Sequence, residues 1–548
     1  MVVIRFLVLL LFCILSFSAC KSWGRFWISN PVALNTLNVR ANQPIESGFL
    51  TGGAESVDGV EVSFDGAAYQ SAILTGSGSA QRWRIALPLP ASGIIWKHNS
   101  LHIARIRGVF GGDTYSNEVT ITFRKGENRD VNGDGYSDLI VGATAYNTNT
   151  GRAYIFLGSA AGISATDAAQ SNILLQGTAT SQFFATGRSA WGDVNGDGYA
   201  DALIGAEGYN ANNGGMFIFY GGSTGIANLA APNAIVGGTG GTFARRIVTG
   251  DFNGDGYSDA LVGAEGVGNA YIFHGGASGI TAATVAGANT TLTGEGGNFT
   301  TGLAVGDING DGYSDALVGA WLYNANNGRA YVFHGSASGV ASIGAAAAPT
   351  RIDGVGTERA GAGVHAADFN NDGFDDLIVA STFHASIGRI GIFFGASSGI
   401  APQAMPGNIN IVGESPGSNS EFGSSLESAD LNGDGLVDLV VSAYVYPPTS
   451  TGKTYVFYNA NGYLPSGTSN LLAARAYLGE STSNNFGGTI RGADLNGDGY
   501  AELYVGAPNF SASQGKVYQY LGNSGLPAAS TLTILGVAGT ESFGGSMR

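Results

Sequence analysis

Short apolar runs bounded by Gly, Asn and Asp recur along most of the chain, and from about residue 126 to 548 they recur in a fixed order. A run opening on an aromatic comes first, as in Phe243-Ala-Arg-Arg, Phe422-Gly-Ser-Ser and Phe486-Gly-Gly-Thr. A polar, acidic loop follows. Then comes a Gly-Ala strand such as Leu139-Ile-Val-Gly-Ala143 or Leu503-Tyr-Val-Gly-Ala507. An Asn/Gly-rich turn (Tyr323-Asn-Ala-Asn-Asn-Gly328) leads into an aromatic strand, Ala330-Tyr-Val-Phe333. Turns at Gly335 and Gly339 and a last run such as Ile409-Asn-Ile-Val412 close the unit. Four strands in roughly 60 residues is the size of one propeller blade. The acidic loops start at Asp130, Asp193, Asp251, Asp307, Asp368, Asp430 and Asp494, spaced by 63, 58, 56, 61, 62 and 64 residues. A steady period of this size indicates an array. The expected fold is all-β: a seven-bladed β-propeller over 126–548, preceded by a small β-sandwich over 36–125.

That earlier segment alternates at Val60, Val62 and Phe64, at Trp83, Ile85 and Leu87, at Leu101, Ile103 and Ile106, and at Val119, Ile121 and Phe123. Gly and Pro between these runs fit a small sandwich. The run to Tyr69, the central Trp83 and the closing strand Asn117 to Phe123 resemble bacterial immunoglobulin-like domains. We read it as a spacer, with His98 and His102 as surface or packing residues.

Residues 1–20 have the pattern of a targeting segment: Arg5, an apolar run from Phe6 to Phe17, then small residues. Phe17-Ser18-Ala19-Cys20 resembles a bacterial lipobox, which implies a lipid on Cys20 and a membrane anchor. The other cysteine, Cys13, lies inside the apolar run, so the processed chain has no disulfide. Residues 21–35 form a tether carrying Trp23, Phe26 and Trp27. The expected location is extracytoplasmic, on a bacterial outer membrane or cell surface.

The loops carry the chemistry. Each places oxygen ligands at positions 1, 3, 5 and 9, a backbone carbonyl at 7, and Gly at 6 for the sharp turn, as calcium loops do. The first offers Asp130, Asn132, Asp134, the Tyr136 carbonyl and Asp138; the second Asp193, Asn195, Asp197, Tyr199 and Asp201. The third offers Asp251, Asn253, Asp255, Tyr257 and Asp259; the fourth Asp307, Asn309, Asp311, Tyr313 and Asp315. The fifth offers Asp368, Asn370, Asp372, Phe374 and Asp376; the sixth Asp430, Asn432, Asp434, Leu436 and Asp438; the seventh Asp494, Asn496, Asp498, Tyr500 and Glu502. Position 12 is always Val or Ile and a strand follows, which excludes the EF-hand and its helix. Without a bidentate Glu, affinities of roughly 10⁻⁴ to 10⁻³ M are expected. Loop five has Asn371 where the others have Gly, and Asn tolerates the same backbone turn. Loop seven ends in Glu502, whose extra length is expected to weaken that site.

This order of parts resembles the FG-GAP repeat of integrin α-chain propellers. Gly506-Ala507-Pro508 carries the second half of that motif in full. The resemblance implies protein binding on the face opposite the loops. Unit one lacks an opening Phe-Gly strand, whereas the chain ends in Glu541-Ser-Phe543-Gly-Gly-Ser-Met-Arg548, which matches Phe486-Gly-Gly. The terminal strand is therefore expected to complete the first blade and close the ring.

Charge sharpens the picture. The net charge is −16, and 21 of the 41 acids sit at positions 1, 5 and 9 of the loops. Seven calcium ions would leave about −2. An acidic chain of this kind excludes nucleic acid as partner. The 89 Gly and few Pro fit many tight turns between strands, not disorder. On the opposite side, the third residue after each Gly-Ala is Tyr146, Tyr209, Val267, Tyr323, His384, Tyr446 or Phe510. The first includes Glu207, Glu265, Trp321 and Tyr444. This aromatic ring is either packing or a ligand face for a protein or a glycan. His274 and His334 occupy a slot shared with Leu157 and Phe394 and read as packing. No catalytic motif is present, and the chain is read as a non-enzyme that binds a protein ligand. The alternatives are a calcium-stabilised lectin and, more weakly, a hydrolase-associated propeller.

Overall fold

The computed structural model describes residues 35–36, 44–96, 100–111, 114–187, 189–414, 420–460, 462–537, 539 and 541–548. The leader with Cys20, most of the tether and His98 lie outside the described residues. Two compact units are present. The first comprises residues up to 37, 51–85 and 102–122; the second comprises 38–50, 86–101 and 123–548. Segments 38–50 and 86–101 belong with the array, and side chains explain part of this. Ser47 Oγ donates to Asp130 at 2.7 Å, and Arg129 joins Glu46 at 2.5 Å.

The strands of the N-terminal region form two sheets. One runs Asn35–Thr36, Phe49–Ala54, Gln81–Ala86, Ile73–Thr75; the other runs Pro44–Ile45, Val119–Lys125, Leu101–Phe110, Gly59–Phe64, Gln70–Ser71, with Thr114–Tyr115 beside Leu101–Phe110. Strict alternation along Leu101–Phe110 buries His102, Ala104 and Ile106 and exposes Leu101, Ile103 and Arg105. Within the first unit Trp83 is buried and donates its indole N–H to the Gly53 carbonyl at 3.0 Å. His102, read as a surface or packing residue, is buried and sits 2.8 Å from Asp65.

Among the described residues the second unit holds seven sheets built on one antiparallel four-stranded plan, two of them with an added parallel strand. The third sheet is typical: Phe243–Gly250, Asp259–Ala264, Asn269–Phe273, Thr290–Thr293. In the first sheet the edge beside Leu139–Ala143 is filled by Phe543–Met547, from the far end of the chain, paired Val141 to Met547. The Gly-Ala strands are buried at every position, because each lies between two neighbouring sheets. Alternate residues feed different cores. Leu139, Val141 and Ala143 pack with Leu495, Tyr504 and Val517 of sheet seven, whereas Ile140 packs with Trp191 and Ala202 of sheet two. Apolar cores of this kind join every sheet to the next, and the seventh to the first.

The aromatic-Gly opening has a local cause. The residue after the aromatic lies at positive φ in six sheets: Ala185 (62°), Ala244 (64°), Thr300 (82°), Gly423 (97°), Gly487 (83°) and Gly544 (80°). Gly361 does the same at 82° in sheet five, where Ala360 replaces the aromatic. Glycine takes that conformation freely and a β-branched Thr does not. Among the described residues no helix is long and apolar enough to cross a membrane.

Candidate functional site

Each acidic loop folds round its first carboxylate. In loop three, Asp251 Oδ1 accepts from the N–H groups of Gly254 (2.6 Å) and Asp255 (3.1 Å), and Oδ2 from Gly256 (2.9 Å). Asn253 Oδ1 accepts from Asp255, and Asp255 from Tyr257. Asp259 is tied at both oxygens, by Phe252 and Gly275 N–H at 2.9 Å each. The bond from position 6 to position 1 occurs in all seven loops, as does the bond from position 2 to position 9. Asn371 adopts φ 58°, and Asp368 keeps its bonds from Asp372 (3.0 Å) and Gly373 (2.9 Å). Loop five is thus built like the others.

Successive loops interlock. The position 8 N–H donates to the position 1 carbonyl of the preceding loop, as from Ser258 to Asp193 and Ser314 to Asp251, both at 2.9 Å. The ring at position 7 lies against the preceding loop's fourth residue. A Cβ on Gly254 would meet the Tyr313 ring at 2.4 Å, and one on Gly196 would meet Tyr257 at 2.4 Å.

Acids gathered this way resist ionising. Burial, reinforced by neighbouring carboxylates, pushes Asp130, Asp193, Asp251 and Asp307 up to about 6 and Asp494 to about 7. At position 9 burial raises Asp376 to about 7, Asp438 to about 8 and Glu502 to about 9, and holds Asp138, Asp201 and Asp259 well above the carboxylate range. An all-oxygen donor set with surplus negative charge fits a hard divalent cation such as calcium. In loop seven, where Glu502 is expected to weaken the site, the Asp494, Asp498 and Glu502 ligand atoms lie within 4.8 Å of one another. The longer Glu502 side chain reaches Asn496 at 3.0 Å, toward the loop interior. His334, read as packing, also touches a loop: its Nδ1 is 3.0 Å from Asp315 Oδ2. His274 lies 3.4 Å from Asn253.

At the other end of the Gly-Ala strands the chain makes a left-handed turn, with Asn147, Thr148 and Asn149 at φ 46°, 57° and 60°. The third-position rings are half-buried and stack on a cation of their own hairpin: Arg152 over Tyr146 (3.6 Å), Arg329 over Tyr323 (4.2 Å), Lys453 over Tyr446 (4.9 Å) and Lys516 over Phe510 (4.7 Å). Gly215 fills that slot in sheet two, and Tyr209 instead meets Phe217 edge-on at 5.1 Å. His384 sits 3.0 Å from Glu358, and Val267 is exposed. Trp321 and Phe383 hold Arg359 between them at 4.7 and 3.5 Å. Glutamates complete these clusters. Glu295 takes Arg329 and Tyr331 at 3.1 Å each, Glu414 takes Lys453 and Tyr455, and Glu480 takes Lys516 at 2.8 Å. Sequence reasoning missed these glutamates, which lie 34 to 41 residues from their partners.

Comparison with known proteins agrees with this build. The FG-GAP repeat matches residues 128–156, 360–393, 422–457 and 486–518, and the FG-GAP-like repeat matches 193–262 and 251–318. The chain carries FG-GAP repeats, and these support an FG-GAP β-propeller with likeness to integrin α chains. It is 32% identical over 151 residues to the phosphatidylinositol-glycan-specific phospholipase D of Mus musculus, spanning 26% of this chain and 17% of that protein. It is 35% identical over 158 residues to integrin alpha-IIb of Mus musculus, spanning 26% of this chain and 14% of that protein. The matched region is thus less than a fifth of either relative. Among solved structures, the rhamnogalacturonan lyase of Bacillus licheniformis superposes with a TM-score of 0.35 at 10% identity, covering 90% of this chain and 77% of that one.

Proposed function

We propose that this chain is a calcium-binding, seven-bladed FG-GAP propeller with an Ig-like sandwich before it, lipid-anchored through Cys20 outside the cytoplasm. In this reading it is not an enzyme and recognises a protein ligand in adhesion or envelope assembly. The observation that carries the calcium reading is the sevenfold repetition of one loop whose buried acids are raised by burial and by each other. Asp, Asn and the position 7 carbonyl would hold the ion, which would rigidify the hairpins. The likeness to integrin α chains supports a protein ligand. A sugar platform needs free ring faces, and four of the third-position rings already carry a cation. Parallel glycan and matrix-protein arrays, probed with the purified chain in calcium and in chelator, test the reading. Saturable binding to a protein is expected. Binding confined to one sugar class would replace it with the lectin reading.

A further inference from the structure

A cavity of about 400 Å³ lies in the second unit, lined by first strands of sheets three to seven, by Arg548 and by residues 124–129. Nine carboxylates and five Lys or Arg line it, and some of the basic groups are not tied up by the loops. Arg491 is 2% exposed and reaches Glu427 through Nη1 alone, at 3.1 and 3.2 Å. Its Nε and Nη2 have no hydrogen-bond partner. Those two nitrogens form the guanidinium edge that takes both oxygens of a carboxylate or phosphate side-on. Arg548 binds Glu127 through Nη2 at 3.0 Å, and its Nε is likewise without a partner. Lys125 lines the same space; burial pushes its ammonium down, and Asp193 and Asp251 partly oppose that. Orphaned charged donors in a low-dielectric interior are costly unless something accepts from them.

We propose that this cavity binds a small oxyanion, a carboxylate or phosphate group, held side-on by Arg491 Nε and Nη2, with Arg548 and Lys125 completing the wall. The proposal rests on the calcium reading in one respect: Asp193 and Asp251 line the cavity, and with cations in the loops they repel a bound anion less.

The test is isothermal titration calorimetry of the calcium-saturated chain with sulfate and with malonate at matched ionic strength. A melt in calcium against chelator checks the loop cations separately. One anion is expected to saturate. Preference for sulfate points to a phosphate-bearing ligand, and preference for malonate to a carboxylate. Arg491→Lys keeps the charge opposite Glu427 but lacks the fork, and should weaken binding about tenfold or more with an unchanged melt. Lys125→Met should also weaken it, and decides the matter if Arg491→Lys does not fold. Absence of saturable heats for both anions, or wild-type affinity in the variants that fold, overturns the proposal.

Discussion

The two ends of each Gly-Ala strand solve one electrostatic problem in opposite ways. At the turn end every glutamate described above meets a cation or a phenol of the protein itself: Glu295 with Arg329, Glu480 with Lys516, Glu541 with Tyr154. At the loop end Asp251, Asp255 and Asp259 crowd together within one turn, and burial lifts the first and last of them out of the ordinary carboxylate range. One end has its partners built in. In the calcium reading proposed above, the other is completed by a cation from solution. Net acidity in such a chain is therefore a property of one side of its sheets rather than of its whole surface.

The largest expected effect removes a device common to both ends. Deleting residues 540–548 takes Phe543 and Met547 from the first sheet and Glu541 from Tyr154. A loss of about 5 kcal/mol or more is expected from the buried aromatic and the newly opened edge. It would be read as a sharply lower melting temperature, and an unchanged melt would refute the closing role. Next comes chelation. Each loop should lose about 1 to 3 kcal/mol of linkage stabilisation, depending on calcium relative to Kd. Calorimetry with and without chelator measures the total, and identical melts would sink the calcium reading.

Single substitutions then separate the two ends. Asp259→Asn removes a crowded charge. It should lower the melt in calcium but leave it equal or higher in chelator. Glu295→Gln should cost about 1 to 3 kcal/mol in either condition, because its partner is built in. Equal responses of the two variants to calcium would break the comparison. The last effect is a pH one. Burial opposes ionisation of Glu127, but Arg548 and then Arg129 overcome it and bring it down to about 2 from 4.5. Its folded value is depressed, so its contribution is present above pH 4.5 and is lost as pH falls toward 2. Glu127→Gln should flatten the difference in melting temperature across that window.

What could be read from the chain follows from physical range. The loops were legible because their ligands lie within nine consecutive residues, at an alternation that little else requires. Asn371 was legible for the same reason, since one backbone angle decides it. The Glu295–Arg329 and Glu427–Arg491 pairs were not, because they join residues 34 and 64 apart whose juxtaposition depends on sheet packing. The aromatic slots were found, but not their partners. Tyr323 and Arg329 are stacked by a left-handed turn that no apolar pattern announces. Residues 38–50 and 86–101 look like ordinary sandwich segments, and only long-range contacts such as Ser47 to Asp130 assign them to the array.

The pairing of Phe543–Met547 with Leu139–Ala143 also has a consequence for synthesis. Tyr154 and Glu541, which meet beside that pairing, are 387 residues apart. On the ribosome the first sheet emerges early with an open edge and waits through six more sheets for its last strand. A contact of that sequence separation forms late and slowly. During that interval the edge is a template for any passing strand, so the nascent chain, more than the finished protein, is the form most in need of a chaperone.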